Sequence, residues 1–200
     1  MSALIRAIYF KVGYRLGKMP WDTGKPQPSL VAVEQQGHLA GTVLDIGCGA
    51  GDNAIHLAAR GYRVHGIDLS AAAIARAKRA AQQRGVTVDF RVANVFALPE
   101  GEPAFDTAID YGLFHQFRGA EIARYVGCLR RLMPQRQTLV LQCFSDAADF
   151  SWPYPRCVSK GELQEAFDAG WRIEHIEAVR YETRTVGEVP AWLAIIRREP

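Results

Sequence analysis

The sequence predicts an α/β protein: a doubly wound, seven-stranded, mostly parallel sheet with one antiparallel strand near the C-terminus. Three observations carry this. Short apolar runs alternate with segments of helical periodicity, the pattern of repeated strand–helix–strand units. The first of these runs, TVLDI, ends in a loop with glycine at every second position, Gly47, Gly49 and Gly51. The last two runs, WRIEHIEAVRYE and AWLAIIRR, are joined only by the turn VGEVP, and without a crossover helix one of them must run antiparallel.

In chain order, Leu4–Leu16 reads as an amphipathic helix, with Ile5, Ile8, Val12 and Leu16 on one side and Lys11, Arg15 and Lys18 on the other. The prolines and glycine of MPWDTGKPQP exclude regular structure next. A helix over about Ser29–Leu39 leads into TVLDI, and Asp52–Arg60 is a helix closed by Gly61. YRVHGID is the second strand, after which Ser70 caps an alanine-rich helix running to about Arg84. TVDFRV and FDTAIDY are strands three and four, about Ala120–Leu132 is a helix, and QTLVLQC is strand five. SKGELQEAF opens a helix with Ser159 as N-cap and Glu162 three residues on, a capping box.

A chain of 200 residues suits one domain, expected over residues 1–200. Apolar residues at 48% and charged residues at 22% exclude a disordered or fibrous chain. No apolar run reaches the roughly 18 residues that span a bilayer, and Arg6, Lys11 and Arg15 interrupt the N-terminus, so neither a membrane span nor a signal peptide is expected and a cytoplasmic location is. The scattered cysteines Cys48, Cys128, Cys143 and Cys157 form no C-x-x-C pair, and no metal site or disulfide framework is expected. A net charge of +3 permits nucleic-acid binding without calling for it, and RAKRAAQQR and RRLMPQR read as solvated helix faces or ends.

The glycine loop holds the functional information. In the dinucleotide fingerprint G-x-G-x-x-G the last glycine packs helix on strand while a pyrophosphate sits on the helix N-terminus. Here Asp52 stands at that last position and Asp45 precedes the loop, two carboxylates that would oppose a pyrophosphate. They suit a ligand with an ammonium group and a sulfonium, which S-adenosyl-L-methionine carries. Asp68, ending the second strand one strand–helix–strand unit later, is placed to receive two ribose hydroxyls. Asn94 after strand three can accept from an adenine amine, with Val95 and Phe96 flanking the ring. Leu69 and Asp110 complete the expected cofactor set with Trp21, Asp45, Gly47, Gly49, Gly51, Asp68, Asn94 and Val95.

LDIGCGAG, GIDLS, ANVFALP and FDTAIDYGLFH follow in the order and spacing of the class I S-adenosylmethionine-dependent methyltransferases, and from about Thr42 to Arg198 the chain resembles that family. Asn94 departs from it, since the family often has aspartate there. PWDTGKPQP, FDTAIDYGLFHQF and LQCFSD resemble a subgroup with thiopurine S-methyltransferase-like, tellurite-resistance and bacterial heterocycle or quinol methyltransferases. That resemblance implies a Rossmann-like methyltransferase fold and a small-molecule acceptor. It also implies that residues 1–28 form a lid of helix and loop, with Trp21, Gly24, Pro26 and Gln27 over the cofactor; Tyr9 and Tyr14 are expected to line that lid.

Methyl transfer is an in-line displacement, so positioning supplies much of the catalysis, and a thiol or acidic heteroaromatic hydroxyl needs no dedicated base. If there is a base, His115 is the first candidate, because it follows strand four where ligands of such sheets bind. Tyr111 is the second candidate, as donor or aromatic wall, and Asp146 and Arg156 are candidates for recognising substrate polarity. The acceptor atom stays open between thiol, phenolic and heteroaromatic O, N or S, as does the oligomeric state. The alternatives are a nucleic-acid methyltransferase, a quinone or lipid methyltransferase held at a membrane surface by the N-terminal helix, and a non-catalytic binding module. DYGLF in place of N-P-P-[YF] after strand four speaks against the first.

Overall fold

The structure is a computed structural model that describes Tyr9, residues 12–14, Leu16, and residues 19–99, 104–148 and 155–200. Its strands are β1 (Thr42–Ile46), β2 (Arg63–Asp68), β3 (Asp89–Val92), β4 (Thr107–Tyr111), β5 (Thr138–Phe144), β6 (Trp171–Glu182) and β7 (Glu188–Arg198). They form one sheet in the order β3-β2-β1-β4-β5-β7-β6. β1 to β5 pair in parallel, while β7 lies antiparallel between β5 and β6, so it is the single reversed strand that a hairpin without a crossover helix requires.

Burial explains the strand sequences. β4 and β5 are buried at every residue, as strands covered on both faces must be, whereas the edge strand β6 is mostly half-buried or exposed. Successive residues of β1 point to opposite faces: Val43 joins a core with Leu30, Ile55 and Ala77, and Leu44 joins one with Phe114, Tyr125 and Leu141.

The helices are α1 (Pro28–Gln35), α2 (Asp52–Ala59), α3 (Ala71–Gln83), α4 (Ala120–Leu132) and α5 (Lys160–Ala166). Ser70 Oγ accepts from Ala73 N–H and opens α3, and Ser159 with Glu162 forms the expected capping box on α5. α1 stops short of Leu39 because Gly37, at φ +77°, turns the chain out of the helix. β7 begins at Glu188, inside the segment read as turn, because Thr183 N–H and Gly187 O close the hairpin tightly at 2.9 Å.

The N-terminal helix is seen at Tyr9, residues 12–14 and Leu16; Ile5, Ile8, Lys11, Arg15 and Lys18 lie outside the described residues. Its covered side is not the one expected. Val12 and Leu16 are 48% and 61% exposed, and Tyr14 is buried instead, with Met19 against Ala73 of α3. Tyr14 lies two residues from Val12, about 200° around a helix, so burying one exposes the other.

Candidate active site

The strand order reverses between β1 and β4, and in open α/β sheets the crevice at the carboxyl ends of strands at such a point is where ligands bind. Gly47 and Cys48 both donate to Ile67 O, at 2.8 and 2.9 Å, which folds the loop after β1 over the end of β2. All three loop glycines have positive φ, +74°, +55° and +85°, a region costly for other residues. A Cβ on Gly51 would sit 2.7 Å from Phe90 and 2.9 Å from Ala77, so Gly51 permits close packing of α2 on α3 and β3. A Cβ on Gly49 would meet the Tyr14 hydroxyl at 2.4 Å, and one on Gly47 would meet Leu113 at 3.2 Å.

A strap crosses above this loop. Gly24 N–H donates to Asp52 (2.9 Å), Arg84 donates to Gly24 O (2.7 Å), and Asp22 pairs with Arg76 (2.5 Å). On the other side Gln27 exchanges two hydrogen bonds with the backbone of Glu182, and Lys25 pairs with the Glu182 side chain at 2.6 Å. Asp52, expected to face the ligand, accepts from the strap. Trp21 lies in the strap, lines the cavity and donates from Nε1 to the Tyr14 hydroxyl at 3.0 Å.

Asp45 is 2% exposed, and its Oδ2 is buried with no hydrogen-bond partner. Burial first, then the charges of Asp110 and Asp68, push its carboxyl up to about 8. A buried carboxyl with an unsatisfied oxygen is costly unless it keeps its proton or meets a cation or a hydrogen-bond donor. Asp68 reaches back from β2 to the loop: Oδ2 accepts from Gly49 N–H (3.0 Å) and Oδ1 from Ser70 N–H (2.7 Å). Each oxygen keeps a lone pair, and burial raises the carboxyl above its usual range. Asn94 is exposed; its Oδ1 accepts from Phe96 N–H at 3.0 Å, capping a short 3₁₀ turn that holds Val95 and Phe96.

These groups border a cavity of about 880 Å³. Gly47, Asp68, Leu69, Asn94 and Val95 line it on the β2–β3 side. Tyr111, Leu113, His115, Phe117, Phe144 and Tyr181 line it on the β4–β5–β6 side. Asp45, Gly49 and Gly51 border an adjoining recess of about 50 Å³ that shares Gly47, Tyr111 and Tyr181 with the cavity.

Three expectations need correction. Asp110 does not line the cavity. Its Oδ1 accepts from Leu113 N–H (2.7 Å) and Phe114 N–H (3.2 Å), and its Oδ2 from the Tyr125 hydroxyl (2.7 Å), so it builds the loop after β4. His115 is in the wall but is not arranged as a base. Its Nδ1 accepts from Phe144 N–H at 3.1 Å, and burial pushes the ring down to about 3, so it is neutral with the proton on Nε2. Tyr111 has a buried hydroxyl without a partner, raised above the usual phenol range by burial. Asp146 and Arg156 do not line the cavity either: Asp146 accepts from Trp192 Nε1 (3.2 Å), and Arg156 donates to Phe117 O (2.7 Å) and pairs with Glu162 (2.6 Å). Phe144, inside LQCFSD, and Tyr181, in no motif, are wall residues that the sequence does not single out; they come from strand ends that only the sheet order brings to the crevice.

The chain is similar to known proteins along most of its length. A family profile described as "Methyltransferase domain" matches residues 43–135. A 2-heptyl-1-hydroxyquinolin-4(1H)-one methyltransferase of Mycobacteroides abscessus is 34% identical over 165 residues, 80% of this chain and 72% of that protein. A solved structure described as "Conversion of a Disulfide Bond into a Thioacetal Group during Echinomycin Biosynthesis" is 34% identical, with a TM-score of 0.87 over 97% of this chain and 92% of that one. The fold also matches a Burkholderia thailandensis 1,6-didemethyltoxoflavin-N1-methyltransferase with bound S-adenosylhomocysteine, at 21% identity and a TM-score of 0.76 over 99% of this chain and 89% of that one. The chain belongs to the class I S-adenosylmethionine-dependent methyltransferases. It is an enzyme whose cofactor is S-adenosyl-L-methionine.

Proposed function

We propose that the protein methylates a planar, acidic small molecule, a heteroaromatic or phenolic compound, on a ring-borne hetero atom. The observation that carries this is the continuity of one cavity from the glycine loop and Asp68 to an aromatic wall of Phe117, Phe144 and Tyr181. Flat aromatic walls favour flat aromatic ligands, and burial of the ring supplies affinity without polar contacts. The quinolone methyltransferase relative acts on a compound of that class.

The cofactor residues fit as follows. Asp45 holds the ammonium end with its unsatisfied oxygen, the Gly47–Gly49 backbone gives close approach, Asp68 receives the ribose hydroxyls, and Asn94 and Val95 flank the adenine. Bound there, S-adenosylmethionine supplies an electrophilic methyl group on sulfur. The protein's task is to align the acceptor with the methyl carbon and to exclude water, which the strap and the aromatic walls do. The helix before Pro20 acts as a lid, resting through Tyr14 and Met19 on α3 and the glycine loop. No helix among the described residues is long and apolar enough to cross a membrane, and with the four free cysteines this supports a cytoplasmic enzyme.

The test is an assay of S-adenosylhomocysteine release with thiols, phenols, hydroxyquinolones and quinols. Turnover concentrated in hydroxyquinolones and acidic phenols is expected. Turnover confined to aliphatic thiols or to bulky lipid quinols would overturn the assignment.

A further inference from the structure

We propose that His115 is a fixed hydrogen-bond donor: its Nε2–H binds and orients the oxyanion of a planar aromatic acceptor, and thereby selects acceptors that ionise near neutral pH. The proposal rests on the reading that the aromatic side of the cavity holds the acceptor.

Four observations point to it. First, a backbone amide has only a proton to offer, so the 3.1 Å bond from Phe144 N–H leaves Nδ1 bare and puts the ring proton on Nε2. Second, Nε2 has no protein partner among the described residues while the ring forms part of the cavity wall. A side chain on Gly112 would bring its Cβ to 3.5 Å from Nε2, and glycine there, at φ +101°, leaves the nitrogen uncovered. Third, the other donors of this wall are committed or covered: the Tyr181 hydroxyl donates to Tyr111 O at 3.0 Å, Gln116 Nε2 donates to Gly112 O at 3.1 Å, and the Tyr111 hydroxyl is itself buried. Fourth, a second proton on the ring would break the Phe144 bond in a fully buried place, and the nearby Arg156 charge opposes it as well.

An unspent N–H donor in an apolar, aromatic setting is satisfied best by an anionic oxygen, because charge-assisted bonds are roughly twice as strong as neutral ones. The acceptor's hydroxyl proton leaves to water before transfer. One electron pair of the oxygen accepts from Nε2–H, another forms the bond to the methyl carbon, and that carbon's bond to sulfur breaks with its electrons staying on sulfur. His115 keeps its proton throughout. The titratable and charged groups that line the cavity with the ring are Tyr14, Asp68, Tyr111, Glu121, Arg124 and Tyr181, and Arg156 acts on the ring from behind the wall.

The decisive variant is His115→Gln, whose amide oxygen accepts from Phe144 N–H and whose amide nitrogen donates to the cavity, yet which cannot act as a base. With phenols of graded acidity, His115→Gln is expected to keep turnover within about fivefold of wild type while His115→Ala loses about thirtyfold or more. In wild type the midpoint of kcat/KM against pH should follow each phenol's own pKa. A binding readout accompanies this: with S-adenosylhomocysteine bound, absorbance titration of 4-nitrophenol should show its pKa lowered by about one in wild type and His115→Gln but not in His115→Ala.

A glutamine variant as inactive as the alanine one, with a fixed midpoint near 6.5 for every phenol, would make His115 a base and overturn the proposal. An alanine variant with full turnover would overturn it too. Should His115→Ala fail to fold, the glutamine variant and the moving midpoint still decide. If wild type binds S-adenosylhomocysteine by calorimetry but methylates no phenol or hydroxyquinolone, the acceptor reading itself has failed and the donor falls with it.

Discussion

Asp45 and Asp110 sit near the carboxyl ends of neighbouring strands, both fully buried, and their surroundings could hardly differ more. Asp110 accepts two backbone amides and a tyrosine hydroxyl, and burial raises its carboxyl only to about 6. Asp45 keeps one oxygen unsatisfied, has Asp110, Asp68 and Asp52 for charged neighbours, and is pushed up to about 8. A buried carboxylate that the protein completes is architecture. One that it leaves incomplete, at a cost in stability, is open to a ligand's positive charge, which is the role proposed for Asp45.

The largest effects should come from substituting these two. Asp45→Asn is expected to weaken S-adenosylhomocysteine binding by about 100-fold, the loss of a charge-assisted bond to a buried ammonium, while the free protein stays folded. Asp110→Ala should do the reverse. It strands the Leu113 and Phe114 amides and the Tyr125 hydroxyl, costing about 3 kcal/mol or more, or a fall of roughly 6–12 °C in Tm. Calorimetric titration and thermal melts on both variants check this. If Asp110→Ala melts like wild type, or Asp45→Asn binds normally, the distinction collapses.

The pH dependence sharpens the same contrast. Asp45 holds its proton more tightly folded than unfolded, from about 8 against an ordinary 3.8, so unfolding releases that proton at any pH between the two. Stability of the free protein therefore falls as pH rises through that window, and Asp45→Asn should recover on the order of 3 kcal/mol of it at pH 8.5 while changing little at pH 4. Ligand binding runs the other way. A cation needs the ionised form, so affinity for S-adenosylhomocysteine should rise by up to about tenfold per pH unit from 6 and level off above about 8, with proton release visible as buffer-dependent binding heats. A flat profile in wild type would show that Asp45 is already ionised.

What could be read from the sequence follows the same line. The sheet and its one reversed strand were legible because periodicity and missing crossover helices are local, and the placing of Asp45 and Asp68 on β1 and β2 was legible for the same reason. Asp110 was misread because "strand ending in aspartate" looks the same whether its partner is a ligand or Tyr125, fifteen residues on. His115 was placed correctly in the wall, but its state depends on Phe144 N–H, a backbone group on another strand that no side-chain pattern reveals. Val12 and Leu16 misled for a different reason: an amphipathic pattern identifies two sides of a helix, and only tertiary contact decides which is covered.

The smallest effect carries the contrast down to single glycines of one loop. Gly51 belongs to the architecture: an alanine there meets Phe90 at 2.7 Å and Ala77 at 2.9 Å, side chains wedged between α2, α3 and β3 that have no room to retreat. Gly51→Ala should cost about 2–3 kcal/mol of stability, combining that overlap with the strain of positive φ. Gly49 belongs to the ligand's side. Its alanine meets only the Tyr14 hydroxyl, at 2.4 Å, with the next Tyr14 atom at an ordinary 3.5 Å. Stability should therefore fall by about 1.5–2 kcal/mol, about 1 of it from the left-handed conformation and the rest from the displaced hydroxyl, with cofactor affinity falling more. Tyr14→Phe removes the one atom in conflict, so adding it to Gly49→Ala should restore about 0.5–1 kcal/mol of stability that it does not give in wild type, where it merely deprives Trp21 Nε1 of its acceptor. A double-mutant cycle measures that coupling directly. Strict additivity of the two substitutions would mean that Tyr14 does not rest on the glycine loop in solution, and the leading helix would then lose its claim to cover the cofactor.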